Sequence, residues 1–157
     1  MQFQNKITPF LGFNNEAKDA ADFYVSILPD SKILRVIENP HSNTVMTVEF
    51  ELAGLTFVAL NTGQEDWKFT EAFSLAISCE TQDEIDELWS KLLDGGEEMA
   101  CGWLKDKFGV RWQIVPRVIG PMLGDADPAR AKRVFDVMCQ MIKFDIAKLQ
   151  AAYDGSA

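Results

Sequence analysis

Apolar positions along this chain alternate between a period of two and a period near 3.6, and the switches mark its elements. Residues 7–13 read as a strand, with Pro9 placing it near an edge or a bulge. Ala20, Phe23, Tyr24 and Ile27 then recur at i, i+3, i+4 and i+7, the buried face of a helix. Asn14 and Asn15 are its candidate caps, Glu16 lies in its first turn, and Pro29 ends it. Residues 32–37, 44–52 and 55–60 read as strands, the last two joined by a tight Ala53-Gly54 hairpin.

The same order then returns. Residues 73–79 read as a strand, and Thr81-Gln-Asp-Glu84 has the spacing of a capping box. Ile85, Leu88, Trp89 and Leu92 form a second buried stripe, which Gly95-Gly96 terminates. Residues 98–103 and 110–115 are the next strands, around a turn at 105–109. The chain therefore reads as two modules, 3–62 and 72–116, repeated in element order but not in residue identity. A C-terminal helix is expected over 127–152, with Asp127 as N-cap, Pro128 as first residue and Ala131, Phe135, Met138 and Ile142 as its apolar stripe. That stripe needs a partner, either an open sheet edge or, as favoured here, a dimer interface.

Composition narrows the function classes. The 157 residues are 47% hydrophobic with 11 Phe and 4 Trp, enough for a packed core. The net charge of −9, without a basic run, argues against nucleic acid and anionic membranes. There is no apolar run of membrane-spanning length and no basic-then-apolar leader pattern at the N-terminus. Cys79, Cys101 and Cys139 have neither a disulfide-framework nor a zinc spacing, which suits a reducing cytoplasm.

One stretch carries more information than the rest. From Cys101 to Pro116, Trp103, Trp112 and Gln113 sit inside an apolar strand pattern around a Gly109 turn. This signature, with residues 7–13, Phe23-Tyr24 and Pro29-Asp-Ser-Lys32, resembles the PhnB-like family of the vicinal-oxygen-chelate superfamily. That superfamily takes in glyoxalases, bleomycin-resistance proteins and extradiol dioxygenases. The resemblance implies an α+β fold of paired βαβββ modules forming a cupped mixed sheet, with helices outside and ligand inside, commonly as a homodimer. Relatives often carry the label 3-demethylubiquinone-9 3-methyltransferase. The sequence gives that label no support, for it has no Gly-rich strand-to-helix turn to hold a nucleoside cofactor.

In metal-dependent members of the superfamily, His or Glu side chains point into the cup. Counting from the matching features places these positions at Pro9, about Ala59, Ser74 and Gln113, a set that does not suit a divalent ion. The resemblance thus implies no metal and no cofactor. Strand alternation from the same positions adds Leu11, Phe13, Phe57, Asn61, Ala76, Ser78, Arg111 and Val115 to the cup and turns Trp112 toward the helices. The candidate ligand-binding residues are Gln113, Arg111, Phe57, Asn61, Ser74, Phe13, Leu11 and Trp103.

Several of these have plainer readings. Gln113 can satisfy backbone groups, Arg111 can reach solvent, and Trp103 can cap the core or an interface. Asp106, between Lys105 and Lys107, reads as a solvated turn charge, and His41 as a surface loop residue. Cys101 lacks a histidine to activate it. Three functions remain: metal-free binding of a small, mostly apolar organic molecule; isomerase or oxygenase chemistry, with or without a metal; or a cup filled by its own side chains. The first is favoured.

Overall fold

The computed structural model describes residues 5–63 and 67–156. The expected start of the first module at residue 3 lies outside them. The chain forms two compact units, 1–68 and 69–157.

The first unit contains β1 (Phe10–Phe13), α1 (Ala17–Ile27), β2 (Lys32–Glu38), β3 (Val45–Leu52) and β4 (Leu55–Asn61). Its sheet order is β1-β4-β3-β2, with β1 parallel to β4 and the other pairs antiparallel. Ala53 and Gly54 both take left-handed φ, +46° and +85°, the twist that a two-residue hairpin between antiparallel strands requires. That turn sets Phe50 opposite Phe57, and their rings stack at 5.6 Å. Tyr24 of α1 packs on Phe50, and Ala17, Ala20, Ala21 and Ile27 complete the buried helical face. The start of α1 differs from expectation. Neither Asn14 nor Asn15 caps it; Asn61, from the end of β4, accepts a bond from Ala17 N at 2.9 Å.

The second unit repeats the pattern with β5 (Leu75–Cys79), α2 (Gln82–Leu93), β6 (Glu97–Glu98), β7 (Trp103–Lys105) and β8 (Arg111–Pro116), in the order β5-β8-β7-β6. β5 is parallel to β8. Ile85, Leu88, Trp89 and Leu92 are all buried. The capping box at α2 forms in a shifted version. Thr81 Oγ1 accepts from Glu84 N at 3.2 Å, and the Glu84 carboxylate accepts from Glu80 N at 2.7 Å, one residue earlier than the usual pairing. The strand expected over 98–103 is interrupted, because Cys101 and Gly102 turn through positive φ between β6 and β7.

The expected C-terminal helix is three helices, α3 (Ile119–Leu123), α4 (Pro128–Met138) and α5 (Ile146–Asp154). Asp127 does cap α4, accepting from Ala129 N, with Pro128 at its start. The buried residue of α4 is Val134; Phe135 is exposed, and Ile142 lies outside any helix and is exposed too. A small apolar core of Ile119, Met122, Val134, Met141, Phe144 and Leu149 holds the three helices together, with Cys101 and Val115 packed against it. Polar links tie this segment to α2 and to the turn before β7, among them the ion pair of Lys143 with Asp86. Gln82 donates to Phe144 O at 3.0 Å and accepts from Ile146 N at 2.9 Å. The amides of Cys101 and Gly102 donate to Met141 O and Ile142 O.

Candidate functional site

Each sheet has one face against its module helix, α1 or α2, and the other face of the second sheet meets the C-terminal helical core at Val115. In the second unit Leu75, Trp112 and Leu104 share a row across the sheet, and Trp112 and Leu104 are buried. The opposite face carries Ser74, Ala76 and Ser78 on the β5 side, Gln113 and Val115 on β8 and Trp103 on β7, all half-buried or exposed. Side-chain parity here is as expected. Gln113 Nε2 donates to Ser74 Oγ at 2.8 Å, and Trp103 is the cross-strand neighbour of Gln113. Arg111 shares this face, but its guanidinium is engaged locally. It donates to Glu71 Oε1 through Nε and Nη2 at 3.1 and 2.7 Å, and to Phe69 O and Gly109 O through Nη1. The Arg111 hydrogen bond holds the Glu71 carboxyl below the usual range.

In the first unit the expected parity is reversed. Leu11 pairs with Ala59, and Phe13 with Asn61, whose side chain caps α1. Phe57 stacks on Phe50, itself against Tyr24. Leu11, Phe13, Phe57 and Asn61 therefore lie on the helix side of their sheet, as does Ala59. The helix-free face instead carries Gly12, Thr47, Glu49, Thr56 and Val58. Thr47 is 1% exposed and Glu49 6%. Among the described residues, Thr47 Oγ1 and Glu49 Oε1 are buried without a hydrogen-bond partner, as is Thr8 Oγ1 just before β1. Glu49 Oε2 lies 3.8 Å from Arg35 Nε. The Trp67 ring lies so close over Gly12 that a Cβ there would sit 2.9 Å from it.

Asp106 corrects the sequence reading most sharply. It is 1% exposed, not a solvated charge. Its Oδ1 accepts from Phe108 N and Val110 N at 2.8 and 3.0 Å, and its Oδ2 accepts from Trp112 Nε1 at 2.8 Å. The signal in the sequence was Asp106 six residues before a buried Trp with one indole N–H to satisfy.

The described residues at the expected positions do not make a metal site. No group of three or more His, Cys, Asp or Glu converges on one point among the described residues. Ser74 and Gln113 are bonded to each other, and Ala59 faces α1. The start of α2 is already closed by Thr81 and Glu84. The cysteines are free thiols. Burial, helped by the charge of Glu84, pushes the Cys79 thiol up to about 11, and burial also raises Cys101, with Cys139 adding to it. A thiol so raised stays protonated, and nearly unreactive, until the pH approaches that value. At pH 8, iodoacetamide should modify exposed Cys139 first and leave Cys79 intact in the folded protein, as peptide mass mapping would report. Rapid labelling of Cys79 would mean that the β5 end opens.

Two units with one strand order, each closed by a parallel pairing of its first and last strands, define a vicinal-oxygen-chelate protein. The description "3-demethylubiquinone-9 3-methyltransferase" matches residues 5–115. The chain belongs to that family, the PhnB-like one. Its fold is similar to that of the PhnB protein from Bacillus cereus, with 33% identity and a TM-score of 0.67, covering 71% of this chain and 99% of that one. Protein PA1353 from Pseudomonas aeruginosa is similar in fold at 17% identity, with a TM-score of 0.60 and coverage of 72% and 98%. So is FosX, the fosfomycin resistance protein from Listeria monocytogenes, solved with Mn(II) and sulfate, at 14% identity, a TM-score of 0.50 and coverage of 71% and 90%. At those two identities the likeness concerns fold alone. A comparison with curated proteins finds no match. The helices α3–α5 lie beyond the residues that the family description covers.

Proposed function

We propose that this protein binds a small, mostly apolar organic molecule without a metal, against the sheet face opposite α2, which carries Gln113. The supporting observation is the Gln113–Ser74 pair, two half-buried polar groups beside Trp103 and Ala76. Gln113 Nε2 uses one donor on Ser74, and the carboxamide keeps acceptor capacity for a ligand. A few polar points on an apolar surface suit recognition of a small organic compound. Arg111 orders the Phe69–Glu71 strand approach rather than meeting ligand directly. We place the protein in the cytoplasm, which its three free cysteines support, and read it as a homodimer, which the exposed Val118, Phe135 and Ile142 support. No described helix is long and apolar enough to cross a membrane.

Native mass spectrometry of protein from its own host tests this directly. The expected species is a metal-free dimer with an organic adduct; one divalent ion per chain would overturn the reading. Gln113→Leu should then weaken binding of the identified adduct by about tenfold, the value of one hydrogen bond, and cost only about 1 kcal/mol of stability. A loss of several kcal/mol with unchanged binding would make Gln113 a structural residue.

A further inference from the structure

The helix-free face of the first sheet presents an unmet demand for a hydrogen-bond donor. Buried polar atoms in folded proteins are nearly always paired, so each exception calls for a cause. Thr47 and Glu49 stand two residues apart on β3, and their side chains therefore project from the same face. Each has a buried oxygen without a partner among the described residues, Thr47 Oγ1 and Glu49 Oε1. Arg35 meets only Glu49 Oε2, at 3.8 Å, and its own side chain is 46% exposed. The carboxylate is thus kept from water yet half satisfied. Leaving a buried charged group so costs stability, and the cost falls away when a donor arrives.

We propose that this face is a recognition point for a small organic amine, with Glu49 Oε1 as acceptor of its ammonium and the Thr47 hydroxyl as second acceptor. An ammonium fits better than other donors because it carries three N–H groups and a positive charge. Trp67, 61% exposed and laid over Gly12 on the same face, adds an aromatic ring of the kind that attracts organic cations. A bare divalent cation fits poorly, since no group of three or more carboxylate, imidazole or thiol ligands converges here among the described residues. This extends the small-molecule reading above to the first unit's own sheet and rests on it.

The test uses two probes of equal shape, 2-phenylethylamine and propylbenzene, titrated into the full-length protein and followed by amide chemical shifts. The amine should shift β3 and β4 resonances. Its Kd should weaken at least tenfold in Glu49→Gln and in Glu49→Leu, whereas propylbenzene binding should not change. Removing a half-satisfied buried carboxylate should also raise the melting temperature of unliganded Glu49→Leu, by about 2–4 °C. Amine binding that ignores Glu49→Gln would overturn the proposal while leaving the small-molecule reading intact. If neither probe perturbs the sheet faces opposite α1 and α2, both fall. A Glu49→Leu protein that melts several degrees lower, with a silent amine titration in the wild type, would make Glu49 a structural partner of Arg35 and end the proposal.

Discussion

Asp106→Ala is expected to destabilise the protein by about 4 kcal/mol, among the largest effects a single polar substitution here can have. The carboxylate accepts three hydrogen bonds, two from the backbone of the β7–β8 turn and one from the Trp112 indole. Truncation leaves buried donors on Val110 and Trp112 unsatisfied, and each such donor costs about 1–3 kcal/mol. A chain of this size should then melt about 10 °C lower. Asp106→Asn keeps the shape but sets one amide N–H against another donor, so roughly half the loss is expected. Trp112→Phe removes the indole donor that Asp106 Oδ2 serves, so the two substitutions should couple in a double-mutant cycle. Melting within a degree or two of wild type for Asp106→Ala would show that the carboxylate is solvated after all.

Gly102→Ala should free the C-terminal helices from the second sheet. Gly102 sits at φ +77°, which costs any other residue energy, and the added Cβ would lie 2.3 and 2.6 Å from Phe144 ring atoms and 2.9 Å from Ile114 O. Phe144 is 3% exposed at the heart of the small C-terminal core. Backbone strain plus overlap comes to about 2–4 kcal/mol. Relief requires Phe144 to leave. Hydrogen exchange should therefore show lost protection through α3–α5 while α2 and β8 stay protected. Phe144→Ala alone should cost about 3–5 kcal/mol but add little on top of Gly102→Ala, because both empty the same contact. Additive losses would mean that the alanine is accommodated with the ring in place.

The two module helices, the Ala53-Gly54 hairpin and the repeated element order were legible in the sequence because local signals agreed with the fold. The stripe Ile85-Leu88-Trp89-Leu92 is buried, and so is Ala20-Phe23-Tyr24-Ile27 apart from half-buried Phe23. The face of the second sheet opposite α2 was also legible, since the Gly109 turn fixes the register of β8 closely. The corresponding face of the first unit was misread. Counting from Phe23-Tyr24 and Pro9 crosses a turn, and one residue of slip moves a whole strand to its other face. Phe10–Phe13 and residues 56–60 are nearly all apolar, so they carry no alternation to correct the error. The neighbouring β3 does, with Thr47, Glu49 and Glu51 against Val48, Phe50 and Leu52. Carried through the Ala53-Gly54 hairpin, that alternation puts Phe57 beside Phe50, on the helix side. The burial of Asp106 depends on the Trp112 indole, a pairing that charge pattern alone conceals. The C-terminal segment was misjudged because Asp145 caps a new helix after a short break, and the periodicity of its apolar residues runs across that break.

Gln82 fastens the C-terminal segment in a manner that frees the sequence it fastens. Its carboxamide gives an N–H to one backbone carbonyl and takes an N–H from the backbone two residues on, the same exchange a neighbouring strand would make. A side chain is here impersonating a peptide unit. Such a surrogate reads only main chain, so Asp145 and Ile146 need not be those residues to dock. The address is written at position 82, and a chain that replaced Gln82 with Glu would keep the acceptor, lose the donor, and forfeit the match however well residues 144–146 were preserved.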